Sequence, residues 1–146
     1  YYNWRFGKIY YKKTGSGSPI LLIHDLTVYS SAYEWKEVID KLSQSHTVYA
    51  IDLLGCGRSE KPRITYTNYL YVQLISDFIK NVIKEKTDVI ASGYSGSFTV
   101  LACYNESSLF KKLFLVNPPE LSVLNKIPGK RSKLYKVLLE LPVLEP

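Results

Sequence analysis

Four short apolar runs constrain this chain more than any other feature. They are "PILLIHDL" at 19–26, "HTVYAIDLLG" at 46–55, "TDVIASG" at 87–93 and "KKLFLVNPPE" at 111–120. Each is short and rich in branched residues, the pattern of a strand covered on both faces. The segments between them have helical periodicity. In "SAYEWKEVIDKLSQS" (31–45), Trp35, Val38, Ile39 and Leu42 fall on one face. In "NYLYVQLISDFIKNVIKEK" (68–86), Leu70, Leu74, Ile75, Phe78, Val82 and Ile83 make an apolar stripe that predicts one long helix. "GSFTVLACYN" (96–105) opens a third. The order β-α-β-α-β-α-β predicts an α/β fold, a mostly parallel sheet with helices on both faces. Upstream, "RFGKIYYKKTG" alternates and predicts an early strand or hairpin arm.

A length of 146 residues suits one domain with a real core. A hydrophobic content of 46% with 22% charged residues excludes a disordered chain. No apolar run approaches the roughly 18 residues of a membrane span, and "YYNWRFGKIYYKK" lacks the apolar centre of a signal peptide. The net charge of +6 is spread along the chain. Its one dense patch, "GKRSKLYK" (129–136), reads as a solvated helix start, so no nucleic-acid partner is expected. Cys56 and Cys103 form neither a disulfide framework nor a zinc-site spacing, and the expected compartment is the reducing cytoplasm.

In an open parallel sheet, ligands bind beyond the carboxyl ends of the strands. Three unusual turns sit at such ends: "HDLTVYSSAYEW" after the first core strand, "DLLGCGRSEKP" after the second and "GYSGS" after the third. The last has a strand–turn–helix context with Ser95 between glycines. No glycine-rich phosphate loop follows the first core strand, which argues against a nucleotide-binding domain. Together the three turns, in this order, resemble the α/β-hydrolase family over most of residues 6–120, in its serine-nucleophile, esterase- or lipase-like branch.

The resemblance implies that Ser95 is the nucleophile, held on a strained turn that exposes its hydroxyl. Gly93 supplies the small residue two positions before it. Ser97 stands where the family has glycine. Two accounts of Ser97 are open: a small-for-small exchange, or the loss of one residue between Ser95 and Gly96. The chain has no methionine at all, which is consistent with such a loss. The family's oxyanion hole carries over to the backbone N–H groups of Leu26 and Gly96. The family's His-Gly is here His24-Asp25, and an inward carboxylate at Asp25 would oppose an oxyanion. Asp52, Gly55, Gly57, Arg58 and Ser59 match a structural loop, and Cys56 reads as a small loop residue.

A serine nucleophile needs a histidine oriented by a carboxylate. His46 opens its strand at the amino end of the sheet, away from Ser95. Within the chain, the remaining candidates are His24 as base and Glu120 as acid. The family places acid and histidine after later strands. The expectation is therefore that residues 1–120 are the N-terminal part of a hydrolase core, that 121–146 begin a helical cap, and that the C-terminal half supplies the other catalytic groups. This implies hydrolysis of a small acyl substrate, an ester or a related compound, without cofactor or metal. The fragment alone is expected to be inactive. A non-catalytic relative that uses the fold for binding is the alternative.

Overall fold

The computed structural model describes residues 1–119. Glu120 and the expected cap segment 121–146 lie outside the described residues.

Strands β1 (Tyr2–Trp4) and β2 (Gly7–Ile9) form a small antiparallel hairpin. Five more strands make the main sheet: β3 (Tyr11–Thr14), β4 (Ser18–Ile23), β5 (His46–Ile51), β6 (Thr87–Ser92) and β7 (Phe110–Val116). Their spatial order is β3-β5-β4-β6-β7. Only β3 is antiparallel to its neighbour. Helices α1 (Lys36–Leu42), α2 (Asn68–Phe78) and α3 (Ser95–Asn105) make the connections. The predicted α/β architecture with a mostly parallel sheet is present.

The two-residue period of the strands explains the layers. Leu21, Ile23, Tyr49, Ile51, Val89 and Ala91 join the core cluster that holds Leu74, Ile75 and Phe78 of α2 and Phe98 and Ala102 of α3. Ile20, Leu22, Val48 and Ala50 point the other way, against Ala32, Trp35 and Ile39. One face therefore carries α2 and α3, and the other carries α1. Phe78 is a packing centre: Tyr2, Tyr11 and Tyr49 meet its ring edge-on at 5.9, 5.2 and 6.3 Å. Trp4 Nε1 donates to Asp77 Oδ2 at 2.8 Å, which fixes the hairpin to α2.

Two helices differ from expectation. The first is preceded by a 3-10 turn over Ala32–Trp35, so regular α-helix begins only at Lys36. This rotates Val38 off the stripe, to 38% exposure. The second is not one continuous α-helix. It passes into a π turn over Ile79–Ile83, which buries both of those residues, and stops at Lys84 in the left-handed conformation.

The topology positions the site. β5 lies on one side of β4 and β6 on the other. The connections leaving β4 and β6 therefore diverge, and a crevice opens at their carboxyl ends. Ile23 pairs with Ala91 at the end of the ladder, which brings the residues just beyond, Asp25 and Gly93, together across that crevice. At the other end of the order, β7 forms an edge of the described sheet, with Phe114, Leu115 and Val116 partly exposed.

Candidate active site

The turn after β6 closes earlier than the motif predicts. Gly93 takes the left-handed conformation at φ 53°, and its N–H donates to the Val116 carbonyl. Gly96 N–H donates to the Gly93 carbonyl and Ser97 N–H to the Tyr94 carbonyl, so helical bonding begins at once. Only glycine adopts this φ without strain. Gly93 therefore forms the apex, half-exposed Tyr94 follows it, and Ser95 is the first residue of α3. Ser95 has no positive φ: among the described non-glycine residues only Lys84 and Asn117 do.

Ser95 is consequently enclosed rather than displayed. It is fully buried, and its Oγ donates to the His24 carbonyl at 2.5 Å. The exposed hydroxyl expected at the tip is not found in this conformation. The loop after β4 and the turn after β6 do meet, but through other atoms.

The meeting point is Asp25. Its Oδ1 accepts the Leu26 N–H at 2.7 Å and the Tyr94 N–H at 2.8 Å. Leu26 is thus one of two convergent amides, and the other is Tyr94 rather than Gly96. Gly96 is occupied within the turn, because the helix starts one turn position sooner. Asp25 is anchored on both sides: its own N–H donates to Glu34 Oε2 at 2.9 Å, and its carbonyl accepts from His24 Nδ1 at 2.6 Å. Beside the two amides lies a shallow cavity of about 370 Å³, lined by Leu26, Asn68, Tyr94, Ser97 and Phe98.

His24 cannot serve Ser95 as a base in this arrangement. Its Nε2 accepts the Leu53 N–H at 3.0 Å, so the proton sits on Nδ1, which donates to the Asp25 carbonyl. Both ring nitrogens are committed to backbone. Burial pushes its pKa down from the usual 6.5, which holds the ring neutral. His46 stands at the start of β5, at the opposite end of the sheet from Ser95, with Nδ1 2.9 Å from Ser45 Oγ. Glu120 lies outside the described residues.

The loop after β5 is a separate, closed network. Asp52 Oδ1 accepts the Ala32 N–H at 2.6 Å and Oδ2 accepts the Arg58 N–H at 2.8 Å. Ser59 Oγ donates to the Asp52 carbonyl and accepts the Tyr10 N–H. Burial and the nearby Asp52 carboxylate raise the Cys56 thiol pKa, which keeps it protonated and unreactive. Among the described residues no group of three His, Cys, Asp or Glu side chains is placed to hold a metal.

Tyr94 and Glu34 are the residues of this meeting point that motif reading passes over. The signal for Asp25 was present, as the non-glycine after His24. That for Tyr94 depends on where the turn closes, which a spacing of glycines does not reveal.

Known proteins share this layout. A soluble epoxide hydrolase of Corynebacterium sp. (strain C12) is 31% identical over 122 residues, covering 84% of this chain and 39% of that protein. The 2-hydroxy-6-oxo-6-(2'-aminophenyl)hexa-2,4-dienoic acid hydrolase of Metapseudomonas resinovorans is 30% identical over 115 residues, covering 77% of this chain and 40% of that protein. The crystal structure of a serine hydrolase involved in carbazole degradation superposes with a TM-score of 0.73 at 27% identity, over 88% of this chain and 50% of that one. The chain thus spans about two fifths of the length of these two relatives. Residues 20–143 match the alpha/beta hydrolase family. With its parallel sheet, its crevice at the ends of β4 and β6 and this match over most of its length, the chain belongs to the alpha/beta hydrolase family.

Proposed function

We propose that the protein containing this chain is a cytoplasmic hydrolase of small acyl substrates, with Ser95 as its nucleophile. The observation that carries this reading is the pair of backbone amides, Leu26 and Tyr94, converging on one oxygen at the carboxyl edge of the sheet. Two preorganised N–H groups aimed at one point suit the negative charge that develops on a carbonyl oxygen under attack; each such donor typically contributes about 10²–10³ in rate. Ser95 adjoins them at the N-terminus of α3, where the helix dipole favours negative charge. Attack requires Oγ to exchange the His24 carbonyl for a base. That base and its acid come from beyond residue 119, because neither described histidine can reach Ser95 productively.

Between the substrates named for the two relatives, an oxo-dienoic acid has a carbonyl that a serine and an amide pair can act on, whereas an epoxide has none. This favours ester, amide or ketone-type carbonyl substrates. The reading is tested by treating the full-length protein with a fluorophosphonate and mapping the adduct. We expect an adduct on Ser95 that disappears in Ser95→Ala. A folded protein that remains unlabelled would instead support a non-catalytic binding relative, the reading that the enclosed Ser95 hydroxyl favours.

A further inference from the structure

We propose that Asp25 is a resident ligand of the Leu26–Tyr94 amide pair, a carboxylate site that the chain fills from within and must vacate before an external anion can bind. The inference rests on reading that pair as an anion site, and not on Ser95 being the nucleophile.

Three observations carry it. First, Oδ1 of Asp25 takes both amide protons, at 2.7 and 2.8 Å, so the charge-stabilising groups are already satisfied by an internal anion. Second, the carboxylate occupies the volume of a side chain on the turn apex. A Cβ built on Gly93 would lie 2.2 Å from Asp25 Oδ1 and 2.3 Å from its Cγ. The apex glycine and the aspartate are therefore complementary: one leaves the space, and the other fills it. Third, the backbone of Asp25 is held at both its N–H and its carbonyl, by Glu34 and by His24. Withdrawal is then a rotation of the Asp25 side chain alone, with Leu26 N–H left in place. Oδ2 accepts no hydrogen bond among the described residues, and Asp25 is only partly buried, so nothing but the two amides retains the carboxylate.

The ligand class follows from the donors. Two neutral N–H groups about one oxygen apart fit a carboxylate or the oxyanion of an acyl-transfer intermediate. A second anion cannot share the pair with Asp25, because two like charges within contact distance repel strongly.

The test uses acetate as the probe and the full-length protein, with the Leu26 and Tyr94 amide resonances followed by NMR. In Asp25→Gly we expect saturable acetate-dependent shifts of both amides, at least tenfold tighter than any response of the wild-type protein. Asp25→Ala should behave alike and serves where the glycine variant does not fold. Asp25→Asn keeps an acceptor oxygen in the same place and should stay closed. A wild-type protein that binds acetate at these amides as well as the variants do overturns the proposal, as do folded variants that show no response. Failure of both variants to fold also overturns it, since Asp25 would then be a brace and not a displaceable ligand. Acetate binding in the variants without fluorophosphonate labelling in any form removes Ser95 as nucleophile and leaves this proposal standing. Labelling without an acetate response does the reverse.

Discussion

The chain uses one device twice, with opposite finish. At each of two loops a carboxylate lies against a left-handed glycine and gathers backbone N–H groups. Asp52 faces Gly57, whose Cβ would come within 2.2 Å of its Oδ2; Asp25 faces Gly93, with the same distance to its Oδ1. Asp52 divides its bonds, one amide on each oxygen, and is buried. Asp25 puts both amides on one oxygen and is only partly buried. A buried carboxylate with both oxygens satisfied is a structural pin. One with a free oxygen at the mouth of a crevice is held, but replaceably. Burial and the division of hydrogen bonds distinguish the two, where residue type and glycine partner do not.

The largest expected contrast is in stability. Asp52→Ala strands the buried Ala32 amide away from water and leaves the part-buried Arg58 amide without its carboxylate, and bonds to a charged group are worth about 1.5–3 kcal/mol each. We expect a loss of about 3–5 kcal/mol in urea unfolding of the full-length protein. Asp25→Ala should lose no more than about 1.5 kcal/mol, because water can reach the freed amides. Equal losses would erase the distinction.

The glycines give a smaller and sharper comparison. Gly57→Ala forces a side chain onto a carboxylate that cannot move, and we expect it to cost about 2–4 kcal/mol through strain and a broken network. Gly93→Ala meets a carboxylate that can swing out, and about 1–2 kcal/mol is expected. Combining Gly93→Ala with Asp25→Gly should recover part of that cost. A double-mutant cycle with no coupling between residues 25 and 93 would break the complementarity.

The smallest effect is the pH dependence of His24, which links the two loops through its ring and its carbonyl. Its folded pKa lies below its unfolded value of 6.5, so the unfolded state binds the proton more readily. The contribution is complete above pH 6.5 and is lost as pH falls below it toward the folded pKa. The slope cannot exceed about 1.4 kcal/mol per pH unit. Unfolding free energies at pH 7.5 and 5.5, taken as the difference between wild type and His24→Gln, should show this fall; a flat difference would exclude a His24 held neutral by burial.

The strands β4, β5 and β6 were legible because burial on both faces writes itself as apolar runs: Pro19–Ile23 of β4 is buried at every position, whereas β7, read from a similar run as covered on both faces, is largely exposed among the described residues. Helix ends were less so. The 3-10 entry to α1 follows from Ser31 accepting the Tyr33 N–H, and the π turn after Phe78 from packing that periodicity cannot express. In the site, the loops that meet were legible and the atoms that meet were not. Either glycine of "SGYSG" could take the positive φ; Gly93 does, with its N–H anchored by the Val116 carbonyl from a strand more than twenty residues downstream. Asp25 stood out as a departure from His-Gly, but its carboxylate acquires a role only once Tyr94 is beside it.

The two carboxylates also differ in when they can form. Asp52 reaches its amide partners across 20 and 6 residues of chain, while Tyr94 and Asp25 are separated by 69 and Ser95 and His24 by 71. Contacts that close long loops come late, because chain entropy must be overcome before they are rewarded. During synthesis from the N-terminus, the Asp52 network can be in place while β6 has yet to exist, and Asp25 waits with its carboxylate in water. The site therefore assembles after the Asp52 network, and its turn is complete only when β7 has brought the Val116 carbonyl to the Gly93 N–H.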